Sequence, residues 1–288
     1  MMSCKNRVFV CLFLIVFGTL IFFMTRVYES NVVKNNMFSE VNGYLPFEKV
    51  YGYKIENRER YVKYYDNNSS LSFEDVVIRV NIGLDRNFYG YVGNSDLGKG
   101  NCVLVNKYLR LDKDYVPSDL EEIDDEYFIY GNKNVRLLRS EARKYFEKLS
   151  YDSIRSGHPV YGQSAYRSYE RQEELYDSAS KNDGKMNADK DTARPGHSEH
   201  QTGLTIDVSS TKDGNMLNFE SSDSYKWMID NAYRYGFILR YPKGKEKIHG
   251  FVYESWHFRF VGIDVARDMH DNYSDLTFDE YYYKKLVK

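Results

Sequence analysis

The sequence predicts an α+β fold: a small, mostly antiparallel sheet flanked by helices and preceded by one N-terminal transmembrane helix. Three observations predict it. The second half of the chain mixes helix-period and strand-like segments with gaps of hairpin length, which suits antiparallel pairing. Over 288 residues, 42% hydrophobic and 28% charged side chains are an ordinary globular mixture that can bury a core. The N-terminal end differs in kind, with a long uncharged run.

That run, Val8 to Met24 (VFVCLFLIVFGTLIFFM), has 17 residues, with Lys5 and Arg7 before it and Arg26 after it. At about 1.5 Å per residue it spans roughly 25 Å, the short end of what crosses a bilayer. Met24-Thr25-Arg26-Val27-Tyr28 offers no small-x-small cleavage site, so residues 1–26 read as a cytoplasmic stub and an uncleaved signal anchor. The positive-inside rule then leaves the N-terminus in the cytoplasm and residues 27–288 outside. Residues 27–46 are polar, without periodicity, and read as a linker.

Residues 47–111 hold the strand-like pieces Val76-Val77-Ile78-Arg79-Val80 and Cys102-Val103-Leu104-Val105 between Gly and Asn turns, and read as a strand-rich accessory region. The main domain, 112–288, opens with the acidic, proline-punctuated DKDYVPSDLEEIDDEY, a surface connector. Apolar residues at helical spacing predict a helix from Val135 to Leu149, and VYGQSAYRS reads as a buried strand running into a second helix, Tyr169 to Ala179, capped by Ser168. Leu204-Thr205-Ile206-Asp207-Val208 is a strand. Ser222 to Tyr235 is a helix that Gly236 ends, and FILRY and FVYESWHFRFVG give two more strands.

The formal charge of −2 gives no field pointing to nucleic acid or anionic lipid. The 28 tyrosines read as compositional bias. Of three cysteines only Cys102 lies beyond the apolar run, so an internal disulfide is excluded there and any metal ligands must be His, Asp or Glu. ARPGHSEHQTGLTIDVSS offers His200 and Asp207, a donor pair that suits zinc. Their spacing fits a loop folding back on a strand end, with Gly203 allowing the tight path. An exposed loop histidine and a solvated aspartate fit the same stretch. Glu254 and His257, in ESWH, can share a site only if Glu254 lies in the loop before the strand, because residues three apart on a strand face opposite ways. Met there, the condition makes His257 a third ligand and Glu254 a base. Arg167, at the turn between strand and helix, is either a carboxylate or oxyanion anchor or a solvated helix-start arginine.

The order SAYRSYERQ, then GHSEHQTGLTID, then ESWH, over about residues 103–265, resembles the zinc D,D-carboxypeptidases of the VanY type. The wider group includes D-Ala-D-Ala dipeptidases and lysostaphin- and hedgehog-like proteins. Ser198, His200, Gly203 and Asp207 match its S-x-H-x-x-G-x-A-x-D pattern, with Thr205 for the usual alanine; Ala165 and Ser255 replace a common glycine and proline. The resemblance implies one zinc per chain on His200, Asp207 and His257, with Glu254 activating water. It also implies that Arg167 contacts the substrate terminus or the polarised carbonyl while Gln172 and Ser198 help line the pocket. His197, His158, His249 and His270 have no matching role.

The resulting expectation is a monomeric, membrane-anchored zinc D-alanyl-D-alanine carboxypeptidase that trims peptidoglycan stem peptides on the wall side. The membrane, through the N-terminal helix, and the stem peptide are its partners, and nucleic acid is not. An L,D-carboxypeptidase or D,D-dipeptidase of the same fold, and a non-catalytic wall-binding module, are the alternatives.

Overall fold

The computed structural model describes residues 46–129, 135–214 and 216–287. The anchor and nearly all of the linker fall outside these residues; among the described residues no helix is long and apolar enough to cross a membrane.

After two short 3₁₀ turns come the helices α1 (Arg58–Asn67) and α2 (Phe73–Ile82), the second where the sequence suggests a strand. The run Val76-Val77-Ile78-Arg79-Val80 is helical because both of its ends are capped. Ser72 accepts a hydrogen bond from the Asp75 amide, and Gly83, at φ 111°, closes the far end in the left-handed region. Val76, Val77 and Val80 then bury fully against Phe47 and Tyr61, and such packing overrides the β preference of branched side chains. Residues 97–102 form a 3₁₀ turn, and no strand follows at 103–105. The only strands of this region are the two-residue β1 (Gly93–Asn94) and β2 (Leu109–Arg110), paired in parallel.

The acidic connector does more than drape the surface. Its β3 (Leu120–Glu122) pairs antiparallel with β4 (Leu137–Arg139), which takes the start of the expected helix. Helix α3 therefore runs Ser140–Arg155, with Ala142, Phe146 and Leu149 buried. Next come β5 (Tyr161–Ser164), α4 (Tyr169–Asp183), α5 (Lys185–Asp191), β6 (Thr205–Ser209), α6 (Asp223–Asn231), β7 (Phe237–Leu239), α7 (Glu246–His249), β8 (His257–Phe260), α8 (Ile263–Asn272) and α9 (Phe278–Tyr281).

Strands β5, β6, β8 and β7, in that spatial order, make one four-stranded sheet with every pair antiparallel, as expected. Period-two alternation sorts β6 and the residue before it into an apolar set, Leu204, Ile206 and Val208, and a polar set, Thr205, Asp207 and Ser209. The apolar set joins Phe146, Leu149, Phe237, Phe258 and Phe260 in the main core. Each such fully buried side chain stabilises the fold by ~1.5–3 kcal/mol. The polar set, with His257 and Arg259 of β8, is buried as well and needs partners of its own.

Candidate metal centre

The sheet sets the positions of the key side chains. Asp207 of β6 lies directly opposite His257 of β8, and Ser164 at the end of β5 lies opposite Asp207 on its other side. A cross-strand pair on one face has its Cβ atoms about 5 Å apart, so register alone brings the aspartate and histidine together. A register irregularity between Gly162 and Ser164 re-aims the end of β5 toward the same point.

His200 comes from a 3₁₀ turn, Glu199–Thr202, closed by Gly203 at φ 66°. A Cβ at Gly203 would sit 2.7 Å from Leu120 Cδ2, a side-chain end that can shift, so it is the left-handed conformation that calls for glycine. The Nδ1 of His200 lies 2.6 Å from the Ala165 carbonyl oxygen, and the Arg167 amide donates to the His200 carbonyl at 3.2 Å. These two bonds tie the SAYRS and SEHQTG segments together. They also settle the tautomer: Nδ1–H donates to Ala165, and Nε2 is left as the free donor atom.

His200 Nε2 is 3.4 Å from Asp207 Oδ2, and His257 Nδ1 is 3.2 Å from Asp207 Oδ1. One ligand atom from each residue lies within 4.8 Å of the others, and all three residues are buried. Ligands about 2.0–2.1 Å from a tetrahedral zinc stand about 3.3 Å from one another. Asp207 Oδ1 is buried without a hydrogen-bond partner, a further sign that a cation belongs here. The donor set and its spacing fit zinc.

Glu254 sits in the loop before β8, held by its amide to the Tyr241 carbonyl at 3.2 Å, and its Oε2 lies 3.3 Å from His257 Nδ1. The condition set by the strand geometry is met. Burial pushes the Glu254 carboxyl up to about 7, with His257 pulling down and Asp207 adding to the rise. Burial works against charge on His257, but Asp207, Glu199 and Glu254 outweigh it and push it up to about 9. His200 goes the other way, lowered by burial and by the Arg167 charge. Burial would also raise Asp207, yet the two histidines beside it hold it well below the usual carboxylate range.

Arg167 is fixed by Gln172, whose Oε1 accepts from Nη1 at 2.8 Å, and by Ser164 Oγ, 3.2 Å from Nη2. Gln172 in turn donates to the Ala193 carbonyl at 2.6 Å, and Asp207 Oδ2 lies 3.9 Å from Nη2. The arginine is not on a solvated helix start. It lines a pocket of about 270 Å³ shared with Gln172, Ser198, His200, Asp207, Glu254 and His257, and walled by Asp191, Tyr241, Phe251 and Trp256. Every residue singled out for the site thus meets in one cavity. His197 stays outside the ligand cluster, buried with Nδ1 2.7 Å from the Asn106 carbonyl oxygen. His249 is buried against Pro242, and His270 stacks on Tyr233.

Sequence reasoning missed Glu199, Arg240 and Arg259, all fully or almost fully buried behind the site. Their signal was present: an arginine inside or just after each apolar strand, FILRY and WHFRF, has no business in a core without a counter-charge.

The family model described as VanY, D-alanyl-D-alanine carboxypeptidase, matches residues 135–263. The putative carboxypeptidase YodJ of Bacillus subtilis (strain 168) is 43% identical over 183 residues, covering 63% of this chain and 66% of that protein. This chain therefore spans just under two thirds of that relative's length. Among solved structures, the LdcB LD-carboxypeptidase, described for the molecular basis of peptidoglycan recognition, is 39% identical with a TM-score of 0.63, over 68% of this chain and 91% of that one. The vancomycin-resistance D,D-pentapeptidase VanY from a VanB-type cassette, solved with Zn(II), is 29% identical with a TM-score of 0.52, over 63% and 98%.

Proposed function

The chain belongs to the VanY D-alanyl-D-alanine carboxypeptidase family, and on that premise we propose that it is a zinc D,D-carboxypeptidase that releases the C-terminal D-alanine of peptidoglycan stem peptides. The observation that carries this reading is the meeting of His200, Asp207 and His257 with a Glu254 carboxyl pushed up to about 7 and the Arg167 guanidinium, all in one pocket.

A zinc ion held by His200, Asp207 and His257 would supply a Lewis acid that polarises a carbonyl and acidifies water. The chain's own groups do the rest. The Arg167 N–H groups left free by Gln172 and Ser164 grip the substrate's terminal carboxylate. Glu254, beside the ligand His257, takes a proton from the attacking water as its oxygen bonds to the peptide carbonyl carbon, and returns that proton to the leaving amine as the C–N bond breaks. Burial of the pocket keeps these charges strong.

The similarity to an LD-carboxypeptidase favours a second reading, in which the residue before the scissile bond has the L configuration. Mass spectrometry of stem peptides incubated with the purified chain, with and without chelator, separates the two. Chelator-sensitive loss of D-alanine from the pentapeptide supports D,D activity, and loss from the tetrapeptide supports L,D activity. No loss from either overturns the carboxypeptidase reading and leaves a wall-binding module.

We also propose that the uncharged run Val8 to Met24 tethers the domain on the wall side of the cytoplasmic membrane. A linker of some twenty residues reaches on the order of 25 Å from the bilayer, near the wall polymer. Added protease should digest the domain from cells stripped of their wall but otherwise intact; complete protection would put it inside.

A further inference from the structure

Behind the three ligand residues lies a closed set of four buried charges. Glu199 Oε1 accepts from Arg240 Nε and from Arg259 Nη1, each at 2.8 Å, and Arg240 Nη1 reaches Asp279 Oδ2 of α9 at 2.6 Å. Arg259 gives its Nη2 hydrogens to the carbonyls of Asn101 and Val103, at 2.9 and 2.7 Å, and its Nε–H to that of Phe260 at 3.0 Å. Asp279 is also held by Asn106, at 2.7 Å. Two cations and two anions balance, so the network is electrically complete without any further partner.

Two of its atoms are left without a hydrogen-bond partner, Arg240 Nη2 and one carboxylate oxygen. Glu199 Oε2 has no hydrogen-bond partner, nor has His257 Nε2, and these two buried atoms face each other at 3.7 Å. If Glu199 were only a counter-ion for two arginines, nothing would require its second oxygen to point at the one ring nitrogen of His257 that faces away from Asp207 and Glu254. The clamp on Oε1 explains the aim. With two guanidiniums fixing one oxygen, the carboxylate cannot rotate, and Oε2 stays on the His257 side.

We propose that Glu199 is a positioning residue for the metal centre: its Oε2 accepts the His257 Nε2–H, which sets the tautomer and turns Nδ1 toward Asp207 and the zinc. The role parallels that of the Ala165 carbonyl at His200, but with a carboxylate, which raises the basicity of the ligand nitrogen as well as orienting the ring. The inference rests on the zinc reading above and not on which peptide is cut.

The test compares two variants that disturb the same charge network at opposite ends. Glu199→Gln removes the acceptor facing His257; Asp279→Asn removes the far anion and leaves Oε2 in place. Zinc affinity is measured on the full chain by competition with a chromogenic chelator. Glu199→Gln should bind zinc about 10–100-fold more weakly, and Asp279→Asn within about threefold of the parent. Equal losses in both variants, or none in Glu199→Gln, overturn the proposal in favour of a purely structural ion network. Should Glu199→Gln fail to fold, the parent protein still decides. With ¹⁵N-labelled histidine and zinc bound, His257 should show a slowly exchanging proton on Nε2 and metal on Nδ1, and the reverse assignment overturns it. Both readouts need zinc but no substrate, so a chain that passes them yet releases no D-alanine refutes the carboxypeptidase reading alone.

Discussion

Glu254 and Arg167 divide the chemistry at the scale of single residues, and each predicts a distinct kinetic signature. Glu254→Gln keeps the size and the loop bond through the Tyr241 carbonyl but removes the proton acceptor. None of the three ligand side chains is touched, so bound zinc should stay at about one per chain by metal analysis while D-alanine release falls by about 10²–10⁴-fold. Undiminished release would sink the role given to Glu254. Arg167→Lys keeps the positive charge but loses the planar fork that Gln172 and Ser164 hold in place. Its kcat/KM for D-alanine release should drop about 10–100-fold, equivalent to about 1.4–2.8 kcal/mol of transition-state binding. Amidating the substrate's terminal carboxylate should cost the parent enzyme far more than the lysine variant. Equal losses would mean that Arg167 does not read that carboxylate.

At the scale of elements, the site depends on one turn and one strand pair, and the turn can be tested through Gly203. Gly203→Ala forces a Cβ into the left-handed region and to within 2.7 Å of Leu120 Cδ2. The strain should cost about 1–2 kcal/mol, read as a fall of a few °C in Tm. Because the same turn aims His200, zinc affinity should weaken along with it; a lower Tm with unaltered zinc binding would separate the turn from the ligand geometry. This part of the molecule was legible in the sequence. A glycine between a loop histidine and LTIDV, and a gap before WHFRF, are local signals that a strand pairing of Asp207 with His257 turns into a site. The N-terminal region was not, because Val76-Val77-Ile78-Arg79-Val80 has the branched side chains of a strand. What makes it a helix is a cap at Ser72, another at Gly83 and burial on Phe47 and Tyr61, which lie 15 or more residues away in sequence. Nor does any local pattern show that Glu199 meets Arg240 and Arg259, 41 and 60 residues further along the chain.

For the molecule as a whole, the buried titratable groups predict how stability follows pH, and how zinc changes it. Burial pushes His197 and His249 down to about 4, and it lowers His200 as well. The unfolded chain binds the protons of the first two near pH 6.5 and the folded chain does not, so they make stability fall as pH drops from about 6.5 toward 4, and His200 adds to the fall. Glu254, raised to about 7, holds a proton in the folded state that the unfolded chain loses near 4.3, which offsets one of the two. Between about pH 4.5 and 6.5 the metal-free chain should therefore gain stability as pH rises. Above 6.5 the sign reverses. His257, raised to about 9, keeps a proton that the unfolded chain has shed, and the stability tied to that proton is lost as pH climbs toward 9. One proton corresponds to about 1.4 kcal/mol per pH unit, so about 2 kcal/mol should go between pH 6.5 and 8. Lys107, pushed down to about 8 by burial, opposes this only above that pH. The metal-free chain should then be most stable near pH 6.5. Zinc removes the descending limb, because a metal-bound His257 carries no proton at Nδ1 and metal affinity itself grows as pH rises. Calorimetric scans at pH 5, 6.5 and 8 should show a maximum in chelator and none in excess zinc. A maximum that persists at pH 6.5 with zinc bound would mean that His257 is not among the ligands.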